Sequence, residues 1–335
     1  MKSKTKNLLS EEQIKTLVKV NFGDLCKVGS ITELKGGMFN SVYLIERIDE
    51  KDKIVLKAGV IPGTTLLTYE QDIMPTEVKC FQLIEEQTTI PTPKILAYDF
   101  SKKHINSNYF FMTAMEGISL NKISRKMEKH NLEKIKTELA GYLAQMHQIK
   151  GDYFGYFTDD KKYQYATWKD AFLHMFDMIL RDGREHKVKL PYERIEKVLK
   201  DNSKYLEEIT TPSLVEYDCH EGNIFVKQVG GEYVIEGILD FERAFWGDPI
   251  ADFPAAFIML DDIRKDEAFL KSYLKESKEK KQFTEADTKR YQLYRMYIFT
   301  IMAAETFRYG FLYAHLQGSF SKSIVMKCLK ELEQL

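Results

Sequence analysis

Two neighbouring stretches decide the fold: Leu214–Val226, LVEYDCHEGNIFV, and Val234–Pro249, VIEGILDFERAFWGDP. They belong to a β-rich island, Ser213 to Asp240, inside a half of the chain that otherwise reads as helix. Gly230-Gly231 separates NIFVKQ from EYVIEGILD, a hairpin signal because glycine takes positive φ without a steric penalty. Asp218 and Asn223 then fall in a loop between strands, and Asp240 closes the hairpin. An aspartate, an asparagine and a second aspartate at strand ends suit magnesium-dependent phosphoryl transfer. Magnesium takes hard oxygen ligands and keeps waters and phosphates in its shell, so one or two carboxylates and an amide oxygen suffice. A carboxylate not committed to metal can accept the proton of an attacking hydroxyl.

With E-Y-D-C-H-E-G-N-I, then L-D-F-E, then W-G-D-P, the chain resembles the aminoglycoside phosphotransferase and choline kinase-like group, which shares its fold with the eukaryotic protein kinases. The usual pattern there is H-G-D-L-H-x-G-N-I, then I-D-[WF]-E, then W-G-D-P. The resemblance implies that Asp218 is the catalytic base and that Asn223 and Asp240 are magnesium ligands. Glu216 departs from the pattern, standing where the group carries a histidine that helps to hold the loop. A substitute hydrogen-bonding brace is one reading of it; a carboxylate that raises a neighbour's pKa or attracts a cation is the other. His220 matches a group position and is expected to brace the loop, as is Asp248. Glu242 is a further acid for substrate or loop.

In the N-terminal half, LKGGMFNSVYLI precedes a strand, Ser41 to Arg47, and its glycines would let backbone amides approach phosphates. It has no GK[ST] ending and is not a Walker A loop. The resemblance makes Gly36, Gly37, Asn40 and Ser41 part of a phosphate-covering hairpin. Lys57, in the next strand Lys53 to Gly59, has apolar neighbours and is either snorkelling from a sheet edge or held inward by an anion. The resemblance makes it the nucleotide lysine, paired with a helix glutamate: Glu77 by preference, Glu70 as runner-up. FFMTAMEG resembles the hinge between lobes, which brings Met112, Thr113, Ala114 and Met115 near the purine.

The expected fold is α+β and bilobal, protein-kinase-like: a nucleotide-binding lobe over 1–112, a hinge at 113–117 and a larger, mainly helical catalytic lobe over 118–335. Helices are expected at about 69–87, 132–148, 168–182 and 192–206, and again from about Ile250 onward. The segments Trp168 to Arg184 and Tyr291 to His315 are candidates for lining the acceptor site, although their aromatics are numerous enough to fill a core.

The 335 residues carry 49 basic and 50 acidic side chains, a balance without the broad basic field that nucleic acid or an anionic membrane would require. Four scattered cysteines, with no CxxC pair, suggest free thiols in a reducing, cytoplasmic setting. The first residues lack the apolar run of a secretory signal, and Ser10 with Gln13 reads as a capping box. Met296 to Ala304 is too short to span a bilayer, which takes roughly 20 apolar residues. The expected function is a small-molecule kinase, passing the γ-phosphoryl of ATP or GTP, with Mg2+, to a hydroxyl of an aminoglycoside-like antibiotic, amino alcohol or sugar. No obligate protein partner is implied. Acids near the site, Glu216, Glu242 and Asp252, would favour a cationic acceptor. The alternative is a nucleotide-binding pseudokinase, suggested by Glu216 and the imperfect glycine-rich loop.

Overall fold

The computed structural model describes residues 6–35, 39–48, 50–71, 73–278 and 280–334. Gly36 and Gly37 lie outside them. The chain opens with α1 (Glu11–Phe22), begun by the Ser10/Gln13 capping box, and continues through β1 (Val28–Glu33), β2 (Ser41–Arg47) and β3 (Ile54–Ala58). After α2 (Ile73–Gln87), β4 (Ile95–Asp99) and β5 (Tyr109–Thr113) complete an antiparallel sheet in the order β1-β2-β3-β5-β4.

Alternation along the central strand β3 explains what this sheet does. Ile54, Leu56 and Ala58 join Leu17 and Val18 of α1 in one apolar cluster, while Val55 packs with Val78, Phe81 and Ile84 of α2 in the other. Side chains in a strand point alternately to opposite faces, so Lys57 shares the α2 face with Val55. No sheet edge is available to it for snorkelling.

Beyond Thr113 the chain leaves this sheet: β6 (Ile118–Ser119) pairs with β9 (Ile224–Val229), which pairs with β10 (Glu232–Ile238). Between them come α3 (Lys129–Met146), β7 (Gly155–Tyr156), α4 (Trp168–Glu185), α5 (Tyr192–Asn202) and β8 (Ser213–Val215). A third sheet, β7-β11-β8, is closed by β11 (Phe245–Gly247). Then follow α6 (Asp252–Ala256), α7 (Glu267–Glu276), α8 (Glu285–Ala304) and α9 (Phe311–Glu333).

The sequence expectation for the helix before IPTPK differs at its start: the α-helix begins at Ile73, and Thr68–Glu70 forms a separate 3-10 turn. Thr68 explains the break, since its backbone N–H and hydroxyl both donate to Asp182 of α4, at 2.7 Å each, and pin the turn to the C-terminal half. Pro91 likewise ties the exit from α2 to the far lobe, its carbonyl accepting from Ile238 N–H at 3.0 Å. The aromatics of α4 and α8 are mostly core: Trp168, Phe172, Phe176, Tyr294 and Tyr297 pack against one another, with Trp168 Nε1 donating to Tyr294 Oη at 2.7 Å. Only the start of α9 departs from that reading, with Phe311 and Leu312 exposed. Among the described residues no helix is long and apolar enough to cross a membrane.

Candidate active site

Residues on or beside β2, β3, β8, β9 and β10 meet at the cleft. β3 presents Lys57 to α2, and its Nζ donates to Glu77 Oε2 at 2.7 Å, an ion pair almost wholly buried on both sides. The same Nζ reaches across to Asp240 Oδ1 at 2.7 Å and Glu242 Oε2 at 3.1 Å. Asn40, at the start of β2, donates its Nδ2 to that Glu242 oxygen at 2.9 Å. The sequence left Glu77 and Glu70 open as partners of Lys57; Glu77 meets it. Glu70 instead accepts two bonds from Arg308 Nη2, at 2.9 and 3.0 Å, and caps Leu67 N–H at 2.7 Å.

Burial by itself would strip the proton from Lys57. The carboxylates of Asp240, Glu242 and Glu77 outweigh it and hold the ammonium well above its ordinary range. Three acids around one cation leave a surplus of negative charge. Asp240 keeps its charge, because Lys57 overcomes its burial, whereas burial and the charge of Asp240 push Glu242 up to about 7.

The loop between β8 and β9 carries the rest. Asn223 donates Nδ2 to the Asp218 carbonyl at 2.9 Å, its N–H bonds the His220 carbonyl at 2.9 Å, and its own carbonyl accepts from Leu239 N–H at 2.9 Å. That last bond brings Asn223 beside Asp240. With Nδ2 committed to backbone, the amide oxygen Oδ1 is the atom of Asn223 left to serve a cation. His220 braces the loop as expected, Nδ1 accepting from Gly222 N–H at 2.8 Å. A Cβ on Gly222 would lie 2.3 Å from that ring, which explains the glycine. Asp240 and Tyr217 both have left-handed backbone, φ 70° and 63°, an unfavourable conformation for residues with side chains that clusters at functional sites.

The sequence reading missed Arg243, although it follows LDFE directly and a cation beside an acidic motif was a readable signal. Its Nε lies 3.7 Å from Asp218 Oδ2 and its Nη2 3.6 Å from Glu305 Oε2. Burial pushes Asp218 up to about 7, with Arg243 opposing the shift and Asp240 adding to it. A carboxyl poised there is suited to general-base work near neutral pH. Beside Glu242 and Arg243 a small cleft opens, lined also by Tyr69, Thr76, Tyr156 and Tyr163.

Other expected residues fall away from the chemistry. Met112 is buried in the lobe core and paired with Val55 and Ile95 on either side, and Met115 packs against Gly237, so neither side chain is free for a purine. Asp248 is buried, taking Arg290 Nε at 2.9 Å, Tyr294 Oη at 2.8 Å and Ile250 N–H at 3.1 Å: a brace. Glu216 and Asp252 lie under the loop, fully buried, and are not placed to attract a cationic acceptor. Asp252 takes the N–H groups of Glu216 and Tyr217 at 3.3 and 2.6 Å and His147 Nε2 at 2.8 Å, while His147 Nδ1 meets Tyr273 Oη at 2.8 Å. His147 is therefore a satisfied core residue.

A bilobal arrangement in which lysine, asparagine and two aspartates on or beside strands converge with a glutamate from α2 defines a kinase-like phosphotransferase. The model of the phosphotransferase enzyme family matches residues 30–293, and the chain belongs to that family. It is a kinase-type enzyme acting on hydroxyls. No curated protein matches the sequence. Among solved structures, one from Haemophilus somnus 129PT, provisionally assigned as a fructosamine-3-kinase, is 16% identical, covers 94% of this chain and 97% of its own, and gives a TM-score of 0.65. A Ralstonia eutropha JMP134 protein, provisionally assigned as an aminoglycoside phosphotransferase, is 13% identical, with 97% and 98% covered and a TM-score of 0.67. The aminoglycoside phosphotransferase APH(4)-Ia, as a ternary complex with AMP-PNP and hygromycin B, is 15% identical, with 95% and 98% covered and a TM-score of 0.63. At such identities the likeness shows the fold.

Proposed function

We propose that this phosphotransferase moves the γ-phosphoryl of ATP or GTP to a hydroxyl of a small acceptor: an aminoglycoside-like antibiotic, an amino alcohol or a sugar. Residues 1–112 form the nucleotide lobe, 113–117 the hinge and 118–335 the catalytic and acceptor lobe. The observation that carries the reading is the convergence of Lys57, Asp218, Asn223 and Asp240 on one cleft. Complexes of similar folds with AMP-PNP and hygromycin B, and with streptomycin and ATP, support a nucleotide donor and a small acceptor.

Asn223 Oδ1 and the Asp240 carboxylate are hard oxygen donors and fit Mg2+, which when bound would neutralise phosphate charge. Backbone of Met112 to Met115 faces the purine. By sequence resemblance, Gly36, Gly37, Asn40 and Ser41 belong to the hairpin expected to cover the phosphates. Lys57, oriented by Glu77, turns from Asp240 and Glu242 to phosphate oxygens and stabilises charge on the transferring group, the main source of catalysis in this reaction. Asp218 orients the acceptor hydroxyl and takes its proton, with Arg243 holding the carboxylate side-on.

The test is a screen of aminoglycosides, macrolides, choline, thiamine-like alcohols and sugars with ATP and with GTP, each with and without Mg2+. Phosphorylated product that requires Mg2+ and disappears in Asp218→Asn supports the reading. Transfer that survives in that variant overturns the base assignment.

A further inference from the structure

Under the loop, Glu216 is a carboxyl group with nothing to balance its charge. It is fully buried. Its Oε2 accepts the Asp218 N–H at 3.2 Å, the Cys219 thiol lies in hydrogen-bonding range of the carboxyl, and its Oε1 has no hydrogen-bond partner among the described residues. The groups facing it are Asp252 from α6, with His147 and Tyr273 behind it, Cys80 of α2, Asp218 and Cys219 of its own loop, and Asp240 after β10. Three of these are carboxyl groups, and among the described residues no lysine or arginine is paired with Glu216.

Hydrogen-bond donors distinguish Asp252 from Glu216. Asp252 gathers two backbone N–H groups and an imidazole nitrogen. Glu216 gathers one long backbone bond and a weak thiol. An ionised Glu216 would bury an oxygen with no donor next to three acids, whereas a protonated one strands only a hydroxyl. Burial, then Asp252 and Asp218, push its carboxyl well above the ordinary range.

We propose that Glu216 is a positioning residue that works as the neutral acid: its carboxyl holds the Asp218 backbone from beneath, and ionising it disorders the loop. The neighbouring Tyr217, fixed in a left-handed conformation by Asp252, makes the loop dependent on such support. The inference rests on Asp218 being the base, so its test includes a measurement that owes nothing to that role.

The experiment compares wild type, Glu216→Gln and Glu216→Ala in thermal melts and in Mg2+-dependent nucleotide turnover, over pH about 5 to 8. Unfolded, Glu216 ionises above about 4.3; folded, it must keep its proton, so wild type loses stability as pH rises through this window. The amide has no such linkage. The melting difference between Glu216→Gln and wild type should therefore grow in favour of the amide as pH rises. Glu216→Gln should keep kcat within about threefold at pH 7, and Glu216→Ala should lose roughly tenfold in kcat with little change in nucleotide KM, as expected when a buried supporting group is truncated. A melting difference that does not change with pH, a Glu216→Gln protein that does not fold, an amide as impaired as the alanine, or an alanine as active as wild type overturns the proposal. Failure of Asp218 as base would leave the melting comparison standing.

Discussion

The two faces of the loop from Glu216 to Asn223 treat carboxyl groups in opposite ways. On the cleft face, Asp240, Glu242 and Asp218 are paired with side-chain cations, Lys57 and Arg243, that a substrate can draw away. On the underside, Asp252 is satisfied by backbone N–H groups and His147, which nothing displaces. Mobile partners suit groups that must exchange one ligand for another, and fixed amides suit groups that only hold shape. An acid near an active site therefore says little about substrate charge until its partners are known.

The largest effect that would break this division is expected on the cleft face. Asp218→Asn should lower kcat by about 10²–10⁴-fold, the usual contribution of a general base, with nucleotide affinity almost unchanged by direct binding measurement. Next, the two glutamates near α2 should separate. Glu77→Gln leaves Lys57 without its buried partner and should reduce kcat/KM by about tenfold or more, whereas Glu70→Gln, which loosens only Arg308, should cost less. Equal losses in steady-state assays would contradict the assignment of Glu77.

A smaller, pH-dependent effect belongs to Arg243. Asp218 must be ionised to act, so kcat/KM for the nucleotide-free enzyme should rise with pH through a midpoint near 7. Arg243 holds that midpoint down; Arg243→Gln should shift it upward in the pH–rate profile, and a shift downward would show that the guanidinium acts elsewhere. The smallest effect is expected underneath. Tyr273→Phe removes one hydroxyl from His147 Nδ1 and should cost about 1 kcal/mol in denaturant unfolding, with kcat unchanged. A fall in kcat there would mean that the two faces are coupled.

Legibility followed the same division. The motif Asp218, Asn223 and Asp240, and the strand bearing Lys57, could be read because their spacing and alternation are local. Glu77 and Glu70 could not be told apart by helical period alone: the choice turned on where α2 begins, and that depends on Asp182, more than a hundred residues away. The short strands β6, β7 and β11 carry too few residues to show a period, and exist through pairing with distant partners. Arg243 was legible as a cation beside the motif, but not Glu305, which reaches it from the end of α8.

What the sequence determined by itself is the chemistry: residue types at fixed spacing, set on strands whose period of two chooses their face. The tertiary structure alone decided which acids are spent and which are exposed. Glu216 and Glu242, as alike in sequence as two glutamates can be, end on opposite sides of one loop, one without a cation and the other bonded to Lys57 and Asn40. Charge neutralisation acts over a few ångströms of space, and no spacing along the chain encodes that distance.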